Sequence, residues 1–203
     1  MISNNLIAIG DSHVDMYSPF CRAICKVPGA TAYGLGNDSS STRARRAFLG
    51  FLSNLKDFIP IVCLGEVDCN SLFWHKKISD NRFLNKSVRA LMKFLSETDM
   101  KFIISSVIPP AVDNYQVTQV RSHVTSSKAE RTEIVQKFNN LLNLRSITYG
   151  HLYLDITTDL LNSEGVLDMT YAKSQHKTHL DAKKVKPIIE RKLLEAKSIY
   201  NNL

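Results

Sequence analysis

A serine hydroxyl attacks a carbonyl carbon only when a neighbouring base takes its proton, and an imidazole is the side chain best suited to take and return that proton near neutral pH. The chain holds the parts for this at its two ends. Ser12 lies in Gly10-Asp11-Ser12-His13, and two imidazoles, His176 and His179, lie in the late segment His176 to Leu180. A third group has to orient whichever imidazole acts as base. Each feature also has a plainer reading. Asp11 or Ser12 can cap a following helix, and His179 can be a polar residue ahead of a helix. Asp11 and His13, with Glu66, Asp68 and the two late histidines, are also the residue types that hold metal ions.

These residues need elements that bring distant positions together. Leu6 to Ile9 is an apolar run ended by Gly10, which reads as a buried strand delivering Asp11, Ser12 and His13 to its carboxyl end. Ile61 to Leu64 repeats the design, ending in Gly65, Glu66, Val67 and Asp68. Further strands are predicted at Phe102 to Ile104 and Leu152 to Ile156, and a brief one over Ala30 to Gly36 runs into a glycine-bearing loop. Helical spacing of apolar residues predicts helices within Arg43 to Asp57, at Val88 to Leu95, around Ile134 to Leu142, and from Val185 to Leu194 despite Pro187. One more helix is predicted from Pro19 to Lys26, where Cys21 and Cys25 would share a face. Val112 to Ser127 reads as a polar loop, a lid or an excursion beside a cleft. This alternation predicts a three-layer α/β/α sandwich with a mainly parallel, flavodoxin-like sheet of about five strands, whose ligand site lies beyond the carboxyl ends of the strands.

The 203 residues fit one domain, with 44% hydrophobic and 22% charged residues, ordinary for a globular protein. No stretch has the apolar length of a membrane span and no signal peptide is recognised, so a cytoplasmic protein without integral membrane association is expected. The net charge of +7 is concentrated from Lys173 to Leu203, where eight Lys or Arg face three acids. Without interleaved aromatic residues this reads as a solvated helix face, and no specific nucleic-acid partner is expected. Cys21, Cys25, Cys63 and Cys69 match no zinc pattern and are expected to be free thiols. Gly34-Leu35-Gly36-Asn37-Asp38-Ser39 has two glycines of a dinucleotide fingerprint but serine in place of the third. No cofactor and no metal are expected.

Four blocks in order resemble the GDSL or SGNH hydrolase superfamily: Gly10 to His13, Tyr33 to Asn37, Gly65 to Asp68, and His176 to Leu180. The resemblance implies that Ser12 is the nucleophile and His179 its base. It also implies that Gly34 or Gly36 donates a backbone N–H to the oxyanion. Two departures stand out. Val67 occupies the family's asparagine position, and losing such an oxyanion donor costs about 3 to 4 kcal/mol in related acyl chemistry. His176 occupies the usual aspartate position and is the candidate to orient His179. Asn70 is a candidate replacement donor, and Asp68 a candidate loop-organising residue.

The expected function is that of a serine-dependent esterase acting on a small-molecule or glycan ester. A polar cleft around Asn37, Asp68 and Asn70 favours removal of O-acetyl groups from a carbohydrate. Alternatives are O-acetyl transfer through the same serine, a degenerate glycan-binding domain, or a metal-dependent phosphoesterase. In the last, the order of the blocks and the spacing of the two late histidines differ from the family it resembles.

Overall fold

The structure is a computed structural model that describes residues 5–55, 57–75, 81–112, 115–117, 122–124, 126–174 and 179–200. Five strands form the main sheet: β1 (Leu6–Gly10), β2 (Ala23–Lys26), β3 (Ile59–Cys63), β4 (Ile103–Ser105) and β7 (Leu152–Leu154). Their order is β2-β1-β3-β4-β7, and every pairing is parallel. Gly10 lies opposite Cys63, and Val62 opposite Ile104, so β1, β3 and β4 end together, as predicted. Two short strands, β5 (Tyr115–Val117) and β6 (Ser122–Val124), pair antiparallel within the segment expected to be a polar loop.

Because the central strands are covered on both faces, they read as continuous apolar runs. Ile7, Ile9, Val62, Leu64 and Ile104 pack with α1 (Ala44–Leu52), α3 (Asn81–Ser96) and α4 (Lys128–Thr148). Leu6, Ala8, Ile61, Cys63 and Ile103 face the other way, onto Val185, Ile189 and Leu193 of α5 (Ala182–Tyr200). The helices follow the periodicity that predicted them. In α3, Leu84, Val88, Leu91, Met92 and Leu95 are buried at spacings of three and four. The start of α4 is fixed by a capping box between Ser127 and Glu130. Pro187 lies inside α5, near its first turns.

Two expectations are corrected. Pro19 to Lys26 is not a helix: Ala23 to Lys26 is the edge strand β2, hydrogen-bonded alongside β1. An edge strand pairs on one side only, and four half-covered residues carry too little alternation to outweigh the i,i+4 cysteines. Those cysteines are free, as are Cys63 and Cys69. Ala30 to Gly36 is not a strand either, since Tyr33–Gly36 forms a single 3-10 turn packed on α3. The short α2 (Phe73–His75) follows a π-helical turn at Asp68–Leu72, a stretch for which no element was expected.

Glycine is required where the first and third strands end. A Cβ on Gly10 would sit 2.2 Å from the Cys63 carbonyl oxygen. Gly65 has φ +122°, and a Cβ there would meet Phe138 at 2.5 Å. Both strand exits are thus held at a separation that no side chain fits.

Candidate active site

Asp11 is the N-cap of a 3-10 helix over Ser12–Tyr17, so the plainer reading of this block is also correct. Its Oδ1 accepts the His13 backbone N–H at 2.8 Å and faces His13 Nδ1 at 3.0 Å. Ser12 is the first residue of that turn. Its amide therefore belongs to those that the helix cannot satisfy internally.

The other half of the site arrives from the far end of the chain. An antiparallel bridge between Ala172 and Leu180 fixes the backbone ahead of α5. The Lys173 amide donates to the His179 carbonyl at 2.9 Å, and the Asp181 amide to Tyr171 at 2.8 Å. So clamped, His179 presents Nε2 to Ser12 Oγ at 2.9 Å. Burial lowers the pKa of His179 below the usual histidine value, and His13 and Lys173 lower it further, while Asp11 and Asp15 oppose them. An imidazole whose pKa is lowered in this way has a deprotonated ring nitrogen able to accept a proton near pH 7.

Behind this pair lies a buried polar cluster of which sequence reasoning saw only fragments. The His13 ring stacks on the His179 ring, with centroids 4.5 Å apart and planes 9° from parallel. Glu66 Oε2 lies 3.7 Å from His13 Nδ1, and Asn70 Nδ2 donates to Glu66 Oε1 at 3.0 Å. Burial pushes the Glu66 carboxyl up, against the pull of His13, Asn70 and the buried Arg131. Asp11, His13 and Glu66 each offer a metal-ligand atom within 4.8 Å of the others. Asp11 Oδ1 and Glu66 Oε2 both face His13 Nδ1, and Arg131 is among the charged groups that act on Glu66. Asp68 is not part of this cluster.

The remaining predicted residues lie elsewhere. Asp68 is fully buried and accepts the Ala32 and Tyr33 amides at 2.7 and 2.9 Å, fastening the glycine-bearing turn to the end of β3. Burial raises its pKa to about 6, despite those hydrogen bonds. The Gly34 amide donates to Thr31 Oγ1 at 2.8 Å, and Gly36 packs against Ala90 of α3. Asn37 lines a separate cavity of about 600 Å³ with Asp38, Ser40 and three arginines. Asn70 is spent on Glu66. Ser12 and His179 share a cavity of about 390 Å³ with Met16, Ile108, Leu180 and Ala182. His13, Asp15, Lys173, Asp181 and Lys183 complete it, and none of Gly34, Gly36, Asn37, Asp68 or Asn70 lines it. His176 falls outside the described residues.

No family model matches the chain, and no curated protein matches its sequence. Solved structures do match. A GDSL-like lipase from Bacteroides thetaiotaomicron superposes with a TM-score of 0.60 at 14% identity, over 95% of this chain and 89% of that one. The chain has the fold of the GDSL-like hydrolases. An acetyl xylan esterase matches at TM-score 0.55 and 14% identity, over 94% of this chain and 98% of that one. The OSK domain of Drosophila Oskar matches at 0.56 and 16%, over 92% and 86%. A fold shared this widely leaves the activity to be argued from the side chains.

Proposed function

We propose that this chain is a serine-dependent hydrolase of carboxylic esters, with Ser12 as nucleophile and His179 as general base and acid. The observation that carries the reading is the 2.9 Å approach of His179 Nε2 to Ser12 Oγ on the wall of an open cavity. Ser12 Oγ attacks the ester carbonyl carbon as His179 Nε2 takes its proton. When the tetrahedral adduct collapses, the same proton passes to the leaving alcohol and an acyl-serine remains. Water, deprotonated by His179, then attacks that acyl carbon, and Ser12 recovers its proton as the acid leaves. The Ser12 amide is the oxyanion donor this geometry favours.

The cavity suits a small acyl group beside Met16, Ile108 and Leu180, with a polar alcohol portion toward Asp15, Lys173, Asp181 and Lys183. O-acetylated sugars belong to this class, and an acetyl xylan esterase is among the proteins that share the fold. Asn37, Asp68 and Asn70 do not line this cavity, so the preference for such substrates rests on the residues that do. A second reading, binding of a ligand without turnover, is favoured by two observations: the Gly34 amide is already engaged by Thr31, and Val67 offers no side-chain donor. Acetate release from p-nitrophenyl acetate and from a panel of O-acetylated glycans, with fluorophosphonate labelling of Ser12, separates the two. Turnover lost in Ser12→Ala supports the hydrolase. Glycan binding with neither label nor turnover supports the second reading, and appearance of the acetyl group on an added sugar identifies transfer.

A further inference from the structure

We propose that His13 is a positioning residue for the Ser12–His179 pair, its ring forming a fixed plane against which His179 is held with Nε2 toward Ser12. The inference rests on the hydrolase reading for its consequence in catalysis, and on geometry alone for the contact itself.

Three observations converge on His13. Its ring is nearly parallel to that of His179, at a centroid distance of 4.5 Å. It is itself immobilised, being 6% exposed, with its backbone N–H and Nδ1 both directed at Asp11 Oδ1. Finally, a chain of contacts leads away from it into the core, from Nδ1 to Glu66 and from Glu66 to Asn70. A stack on a mobile ring orients nothing, whereas a stack on a ring tied to two buried carboxylates transmits their position.

The charges of the cluster give the contact an electrostatic consequence. Asp11 is fully buried, and its Oδ2 has no hydrogen-bond partner among the described residues. Asp11 Oδ1 and Glu66 Oε2 lie 3.0 and 3.7 Å from His13 Nδ1, so two buried carboxyl groups converge on this ring. His13 Nδ1 faces oxygens of both carboxylates, and as an imidazolium it places a positive charge flat against His179. A second imidazolium at that distance is unfavourable, which keeps His179 neutral. Among the described residues, the groups that face His179 include His13, Asp11, Asp15 and Lys173, with Ser12 as hydrogen-bond partner and Asp181 and Lys183 on the same cavity wall. Asp11 and Asp15 favour its protonation and His13 and Lys173 oppose it, so removing the His13 charge must raise its pKa.

Two variants separate plane from charge. His13→Asn keeps an amide donor where Nδ1 stands and removes both ring and charge. His13→Phe keeps a plane without charge. Circular dichroism establishes that each is folded. Histidine ring NMR, with His179→Gln assigning the signal, follows the His179 titration, and fluorophosphonate labelling of Ser12 is measured at about pH 8, above the usual histidine range. We expect the His179 midpoint to rise by about one unit in both variants. Labelling should slow about tenfold in His13→Asn and stay near the wild-type rate in His13→Phe. An unmoved His179 midpoint in folded His13→Asn overturns the electrostatic role, and equal labelling of wild type and His13→Asn overturns the positioning role. If the wild type takes no label, the hydrolase reading fails, and the titration still decides whether His13 acts on His179.

Discussion

The ends of β1 and β3 are built to one plan, an apolar strand, a glycine and an acid-bearing polar segment, yet they spend their polar residues in opposite ways. After β1, Asp11 turns inward to cap its own helix and Ser12 is left on the cavity. After β3, Glu66, Asp68 and Asn70 all turn inward, toward His13, toward the Ala32 and Tyr33 amides, and toward Glu66. In the proposed reaction, one strand exit supplies the nucleophile and the other supplies the frame that holds it. Polar residues at the carboxyl edge of a parallel sheet are therefore no guide to substrate contact until their hydrogen bonds have been accounted for.

The contrast breaks most sharply at the reacting pair. Ser12→Ala and His179→Ala should each lower ester hydrolysis about a thousandfold or more, with thermal stability close to wild type, measured by initial rates and a melting curve. Loss of stability comparable to the loss of rate would place Ser12 in the frame instead.

The frame should respond in the other currency. Asp68→Ala leaves two amides without acceptors and should cost about 3 kcal/mol, lowering Tm by about 6 to 12 °C. The sign of its pH dependence also follows. Because the folded pKa lies above the unfolded one, this carboxyl's titration favours folding fully below the unfolded range and the benefit is lost as pH rises through about 6. Denaturant titrations should therefore find the deficit of Asp68→Ala larger at about pH 4 than at about pH 7.

Gly65→Ala combines a left-handed backbone with overlap on Phe138 and Val107, and should destabilise by about 2 kcal/mol. Here the activity that remains at low temperature reports whether the frame has moved Ser12. Smaller still is the pH effect on rate. With the His179 pKa lowered, activity falls only as pH drops below the ordinary histidine midpoint of about 6.5, so kcat/KM should be flat from there to neutrality. Smallest is Lys26→Ala. Its partner Asp15 lines the cavity, but the pair is 42% and 58% exposed, and stability should change by less than about 1 kcal/mol in urea unfolding.

How much of this was legible in the sequence follows the same division. β1, β3 and the helices α1, α3, α4 and α5 were readable because their burial imposes long apolar runs or a three-to-four spacing. β2 was not, because a four-residue edge strand imposes neither. The juxtaposition of Ser12 with His179 was anticipated from the order of four short blocks. The cluster behind it was not, although every member was in view: His13 stood beside Ser12, and Glu66 stood in the third block. Only the alternation of buried strand and glycine hinted that both would descend on one point. Asn37, Asp68 and Asn70 were assigned to a cleft because a short polar side chain has the same appearance in sequence whether it meets a substrate, an amide or another side chain.

Pro187 has a consequence of a mechanical kind. It has no N–H, so the carbonyl of Lys183, four residues earlier, lacks its usual helical donor. Ala182 and Lys183 wall the cavity, while Val185, Ile189 and Leu193 anchor α5 to the sheet. One rung is therefore missing at the junction between the part of α5 that touches the cavity and most of the part that is bolted down. A guest pressing on that wall works against a softer spring than one pressing toward β1, where Gly10 rests on Cys63 with no slack. The stiffness of the cavity is lopsided, rigid under the serine and compliant opposite it, so guests of different size should be accommodated by movement at Lys183 and not at Ser12.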